Sequence, residues 1–249
     1  MSGKVRLDSD GGRRVITLTD PDRRNSIDAQ MRSELADAVA TVAADAEARV
    51  LVVTGEGTAF CAGADLPAIF GDSGRPVDEI RRDLHQVYDS FLRLRALPIP
   101  TIAAVQGPAV GAGLNLAMSC DLRVAGPKAR FSATFTQIGL HPGGGCTWFL
   151  VQAMGPERAL AMLLDGGTVL GPDAVAAGLA MSLEDDPLAA ALERADRVVA
   201  LEPELVRDVK SAVQAANRGD FTSTLEFESW AQASSAKGPR VQEFVAKFR

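Results

Sequence analysis

Two histidines and three cysteines are the whole supply of imidazole and thiol in this 249-residue chain, beside one tyrosine and two tryptophans. Cys61, Cys120 and Cys146 lie far apart. They have no Cys-x-x-Cys spacing and no histidine cluster nearby, so neither a disulfide framework nor a metal site is expected. No Gly-Lys-Ser/Thr occurs for a P-loop, and Gly111-x-Gly113 has Leu116 where a dinucleotide fingerprint requires glycine. The lack of a Gly-x-Ser-x-Gly elbow argues against a serine hydrolase. No apolar run reaches the roughly 18 residues needed to span a bilayer. Residues 1–10 are polar and lack the apolar core of a signal peptide. A soluble, cytoplasmic protein is expected. Net charge is −6 and the basic residues are dispersed, which argues against nucleic acid or a membrane surface as partner.

What the chain has in quantity is apolar surface. At 47% hydrophobic residues it can bury a substantial core without staples. β-Branched runs at 15–18, 50–54, 101–105 and 122–124 read as strands. Between the first two, Asp28 caps an expected helix with Met31, Leu35, Val39 and Val42 on one face. A small, apolar helix is expected over 111–119. Helices on a mostly parallel sheet follow from this alternation. After about residue 155 strand signals cease, and helices are expected at 156–164, 172–178, 187–200, 203–216 and 221–235, several opened by proline. Residues 67–80, with Gly71, Gly74 and Pro76, read as a mobile loop.

Two small-residue turns carry the chemistry. Ala59-Phe60-Cys61-Ala62-Gly63-Ala64-Asp65-Leu66 follows the second strand, and Gly107-Pro108-Ala109-Val110-Gly111-Ala112-Gly113 follows the third. Turns of this kind before a helix leave backbone N–H groups without partners. One N–H from each turn, aimed at one point, makes a two-donor oxyanion hole, typically worth about 3 kcal/mol per donor in the transition state.

With these turns the chain resembles the crotonase superfamily, the enoyl-CoA hydratases and isomerases, from Arg24-Asn25-Ser26-Ile27 to Phe244-Val245-Ala246-Lys247. The resemblance implies an α/β superhelix of β-β-α units over residues 1–190 and a C-terminal helical oligomerisation region over 191–249. It further implies a homotrimer or homohexamer, and an acyl-CoA thioester as substrate. Coenzyme A then arrives as part of the substrate, and no cofactor is permanently bound. The N–H groups of Ala64 and Ala112 fall where the family holds the thioester oxygen. Arg24, Ala62, Ala64, Asp65 and Leu66 fall along the CoA path. Phe244 and Lys247, followed by Phe248 and Arg249, are expected to close the CoA site of a neighbouring subunit.

The departures bear on the reaction. Where the family's hydratases carry two glutamates, this chain has Asn115 and Phe135, and where some isomerases and dehalogenases carry an aspartate it has Gly143. Asn cannot accept a proton at neutral pH, though it can orient a water, and Phe does neither. His141 is the remaining acid/base candidate, with His85 and Tyr88 as further ones. Asp65 is expected to fix its turn rather than act as a base. Trp148, Phe149 and Phe135 read as core or pocket lining. Two readings follow: an enzyme that stabilises an enolate without the usual glutamates, or a non-catalytic acyl-CoA-binding relative.

Overall fold

The computed structural model describes residues 3–247, so Phe248 and Arg249 lie outside the described residues. The strands are β1 (Val5–Asp10), β2 (Arg13–Leu18), β3 (Val50–Gly55), β4 (Thr101–Val105), β5 (Pro108–Val110), β6 (Leu122–Ala125), β7 (Arg130–Ser132), β8 (Thr168–Leu170) and β9 (Ser182–Leu183). The helices are α1 (Ala29–Ala44), α2 (Leu66–Phe70), α3 (Val77–Leu92), α4 (Ala112–Ser119), α5 (Cys146–Met154), α6 (Pro156–Asp165), α7 (Gly171–Ala174), α8 (Pro187–Val199), α9 (Pro203–Arg218), α10 (Phe221–Ser235) and α11 (Pro239–Ala246).

One sheet has the order β1-β2-β3-β4-β6-β9 and a smaller one the order β5-β7-β8. Apart from the β1–β2 hairpin, the large sheet is parallel. Along the chain, a strand of the large sheet is followed by one of the small sheet and then by helix: β4, β5, α4, and again β6, β7, α5. This is the β-β-α coil that the resemblance implied.

Residues 50–53 of β3 are wholly buried because the sheet is covered on both faces. Side chains alternate. Leu51 and Val53 join the main core with α1, α3 and α4, whereas Val50 and Val52 meet Ile102, Ala104 and the alanines Ala191 and Ala195 of α8. Alanines four residues apart let α8 approach the strands closely. Helix α1 caps as expected at Asp28, whose carboxylate accepts from Met31 N at 2.9 Å, and Met31, Leu35, Val39 and Val42 are buried. Farther along, α9 is tied to the sheet by Lys210, which donates to Asp121 at 2.6 Å and to the Ile99 carbonyl at 2.8 Å.

Three sequence expectations need correction. Strands do not end near residue 155, since β8 and β9 follow. At three and two residues they are too short to carry a period. Residues 67–80 are not one loop: Asp65 caps α2, Pro67 sits in its first turn, and α3 begins at Val77. The helix expected over 172–178 is only Gly171–Ala174, and the chain then turns through Gly178 at φ +77°.

Candidate active site

The first turn is stitched down on two sides. Ala62 N donates to the Arg24 carbonyl at 2.9 Å, Ile27 N to Gly63 O at 2.8 Å, and Asp65 N to Ile27 O at 3.2 Å. On the other side Cys61 N donates to Pro108 O at 3.1 Å, and Val110 N to Cys61 O at 3.0 Å. The turn therefore lies like an extra strand between residues 24–27 and β5. In such pairing alternate N–H groups point away from the partner. That of Ala64 is one of them, and it has no hydrogen-bond acceptor among the described residues.

Sequence alone placed both donors at helix N-termini. Only Ala112 is one: it is the first residue of α4, so helical bonding leaves its N–H free. Ala64 precedes the capping residue Asp65 and owes its bare N–H to strand-like pairing instead. The two turns are in close contact. A Cβ on Gly63, at φ +102°, would fall 2.7 Å from Val110 O and 3.7 Å from Ala112 N.

Buried Asn25 holds the base of this construction. Its amide donates to the carbonyls of Glu56, Ala59 and Phe60 at 3.0, 2.9 and 3.2 Å, and its oxygen accepts from Asp20 N at 3.0 Å. Its φ of +56° is one that Asn tolerates better than most residues. Sequence reasoning missed this role. The signal was there, in an Asn next to Ser within an otherwise charged turn.

Both donors border a cleft of about 710 Å³, open solvent at its mouth included. Its walls are apolar, from Leu66, Ile69, Phe70, Leu84, Val87, Ile138 and Leu140. Among the described residues the polar side chains lining it are Tyr88, Asn115, Thr134 and His141, and no carboxylate does. Asn115 is 1% exposed; its Nδ2 donates to the Gly143 carbonyl at 2.8 Å, while its Oδ1 is buried with no partner. Burial pushes the Tyr88 phenol up from its ordinary value, opposed by a hydrogen bond from the Gly144 backbone N–H. His141 is exposed, with Nδ1 2.7 Å from the Pro142 carbonyl oxygen. His85 is exposed on α3, edge-on to Tyr88, and does not line the cleft.

Phe135 lines the cleft, Phe149 is buried core, and Trp148 is 40% exposed beneath the Arg95 guanidinium, 4.2 Å from its ring centroid. Trp148 thus belongs neither to core nor to this pocket. Burial pushes all three thiols up to about 12. With so little thiolate at neutral pH, Cys61 is not a nucleophile.

Asp65 fixes its turn: one oxygen accepts from Ala68 N at 3.3 Å and the other pairs with Arg23 at 2.9 Å. Ala62, Ala64 and Leu66 border the cleft, whereas Arg24 lines a second cavity with Thr58, Lys128 and Arg130. Neither Lys128 nor Arg130 was singled out from sequence, since over 100 residues separate them from Arg24. Phe244 and Lys247 do not line the cleft within the chain. Their helix sits against the end of α8, with Arg240 donating to Ala200 O at 2.7 Å.

Two bare backbone donors over an apolar cleft, on a coil of β-β-α units, define the crotonase class. The family described as Enoyl-CoA hydratase/isomerase matches residues 10–248. The chain is 46% identical over 240 residues to the Mycobacterium tuberculosis protein named "Probable enoyl-CoA hydratase EchA14", covering 94% of this chain and 91% of that one. It is 32% identical over 237 residues to the 1,2-epoxyphenylacetyl-CoA isomerase of Escherichia coli K12, covering 94% and 90%. The solved structure of an enoyl-CoA hydratase from Bacillus anthracis superposes with a TM-score of 0.89 at 27% identity, over 98% of this chain and 95% of that one. One from Mycobacterium smegmatis gives 0.88 at 29%, over 99% and 96%. The chain belongs to the enoyl-CoA hydratase/isomerase family. Among the described residues no helix is long and apolar enough to cross a membrane.

Proposed function

We propose that the chain binds an acyl-CoA thioester with the acyl group in the cleft and the thioester oxygen on the N–H groups of Ala64 and Ala112. The observation that carries this reading is the meeting of two bare backbone donors at one wall of an apolar cavity. A thioester oxygen gains negative charge when the α-carbon loses a proton. Donors fixed in a water-poor site favour that enolate-like state. Arg24, Ala62, Asp65 and Leu66 line the route of the CoA moiety, and the cations Arg24, Lys128 and Arg130 around the second cavity suit its phosphates. Coenzyme A comes and goes with the substrate, and no resident cofactor is part of the reading.

Among the described residues the cleft has no carboxylate, and Asn115 and Phe135 fall where the resemblance puts the family's two glutamates. The reaction is therefore an enolate-type isomerisation or cleavage rather than two-carboxylate hydration, with His141 as the proton carrier at the mouth. The missing carboxylates equally favour a second reading, an acyl-CoA-binding protein without turnover.

Ala112→Pro separates the donor's role from its scaffold, because proline is well tolerated at a first helical position and removes only the N–H. For a catalyst, turnover on the best thioester of a saturated, unsaturated and branched panel is expected to fall about 10²–10³-fold, with the melting temperature nearly unchanged. For a carrier, calorimetry is expected to show weakened binding and no turnover with any member. No saturable binding by the unaltered chain at millimolar thioester rejects both.

We place the protein in the cytoplasm as a homotrimer or a hexamer of two trimers. Its oligomerisation region, 191–249, presents Leu205, Val209 and Val213 along α9, Phe221, Leu225 and Trp230 on α10, and Val241, Phe244 and Val245 on α11, all exposed in the single chain. Apolar surface in this quantity marks contact with another protein. Phe244 and Lys247 then reach the CoA of the neighbouring copy. Light scattering is expected to give a mass three or six times that of the chain, and a monomer at micromolar concentration overturns the assembly.

A further inference from the structure

Trp148 and the Arg95 guanidinium above it belong to another opening. A cavity of about 980 Å³, open solvent included, lies between the last turn of α4, helix α5 and the last turns of α9. It shares no lining residue with the acyl cleft or with the cavity around Arg24.

Its charge is one-sided. Arg95, Arg123 and Arg218 line it against one carboxylate, Asp121. That carboxylate is already taken, by Lys210 at 2.6 Å and by Thr101 N and Oγ1 at 2.8 and 2.9 Å. Arg123 is satisfied where it stands, since Nε donates to Leu179 O at 2.7 Å and a terminal nitrogen to Cys120 O, at the carbonyl end of α4, at 2.8 Å. The other two are not. Among the described residues neither Arg95 nor Arg218 donates a side-chain hydrogen bond or forms an ion pair. Burial, and after it the Arg218 charge, lower the Arg95 guanidinium below its ordinary value, with Asp121 opposing. Guanidiniums stay charged, so two of them brought together repel until an anion lies between them.

Arg95 is also held in place. Its Cζ lies 4.2 Å from the Trp148 ring centroid and 5.3 Å from that of Phe149, and Gln214 Nε2 donates to its carbonyl at 3.4 Å. A guanidinium stacked on a ring still donates from its edge. The stack therefore fixes the plane of the fork and leaves its donors open. The side-chain amides of Gln152 and Asn217 line the same space, with no partner among the described residues, and each can donate as well.

These groups select a ligand class. An apolar or cationic ligand leaves the two guanidiniums repelling. A lone carboxylate brings one charge and two oxygens in one plane. A phosphate group brings close to two charges and three acceptor oxygens, enough for both forks and the amides beside them. We infer that Arg95 and Arg218, backed by Trp148, form a binding site for a phosphate group, separate from the acyl cleft. The inference does not depend on the acyl-CoA reading.

Inorganic phosphate, titrated into the assembled protein at constant ionic strength, tests it by calorimetry and by tryptophan emission together. Constant ionic strength removes the effect of screening. Saturable binding is expected with a half-point at about 1 mM or below. Emission is expected to follow the same curve, because the anion draws on the guanidinium that lies over Trp148, and the emission change is expected to vanish in Trp148→Phe. Arg218→Gln, at an exposed helix end, is expected to weaken binding about 10–100-fold. Arg95→Lys keeps the charge but not the fork and is expected to weaken it about tenfold. Glycerol 3-phosphate in a parallel titration tells free phosphate from a phosphomonoester: the tighter of the two names the source, and either supports the site. Neither heat nor emission change with both probes overturns the inference, including the case in which a carboxylate of a second copy fills the cavity. Binding that both arginine variants leave unchanged also overturns it, since the phosphate is then held elsewhere.

Discussion

Crotonyl-CoA is expected to be hydrated by this chain at least about 10⁴-fold more slowly than by an enzyme that flanks the double bond with two carboxylates. A positioned acid and a positioned base each contribute about 10²–10⁴ to such a rate. The cleft offers neither in carboxylate form. Asn115 and Tyr88 line it, but neither takes a proton from water: an amide is no base, and burial raises the Tyr88 phenol, keeping it protonated near neutrality. His141 is a base in principle, yet it is exposed and its Nδ1 faces the Pro142 carbonyl, which leaves Nε2 alone to act from the mouth of the cleft. Loss of the enoyl absorbance measures the reaction directly. A turnover number near about 10 s⁻¹, ordinary for an enzyme, would show that another group supplies the base.

The fold and both turns could be read from the residues because their signals are local. β-Branched runs buried on two faces, Asp28 at a cap and glycines before α4 each announce themselves within a few positions. Residues 5–10 gave no strand expectation, because β1 is an edge whose outward residues are polar and whose apolar pair, Val5 and Leu7, is only half buried. The N–H of Ala64 is without an acceptor among the described residues, and the reason lies in pairing rather than in a helix start. Its freedom depends on pairing with Ile27, 37 positions earlier, which no local pattern reveals. The same holds for the long-range groupings: Asn25 under the first turn, Lys210 on Asp121, and Lys128 and Arg130 beside Arg24. The orphaned Oδ1 of Asn115 is a fact of packing. Sequence could name Asn115 as a departure from the family, but only the carbonyl of Gly143 decides which of its two amide atoms is left without a partner.

Gly113→Ala is expected to lower the melting temperature and to weaken thioester binding about 10²-fold, although the exchange favours the helix taken alone. Gly113 lies inside α4, where alanine is preferred over glycine by about 1 kcal/mol. Opposing this, a Cβ there would fall 2.1 Å from the Cys61 carbonyl oxygen and 2.8 Å from its carbon. No flexible side chain can yield, since that carbonyl is backbone of the first turn and is pinned by Val110 N at 3.0 Å. Turn and helix must therefore part by something near an ångström. Overpacking of this kind costs about 1–3 kcal/mol or more, so a net loss of about 2 kcal/mol is reasonable, or roughly 4–8 °C for a chain of this size. The functional loss follows from the same displacement: Ala112 moves with α4 and Ala64 stays with its turn, so the two N–H groups no longer point at one oxygen. Two hydrogen bonds of about 1–1.5 kcal/mol each are then forfeited, which is about 10²-fold in affinity. Calorimetry with the best-bound thioester and a thermal melt measure both effects on one sample. A variant that melts normally and binds normally would mean that the turns are not pressed together, and the two-donor site would fall with that contact.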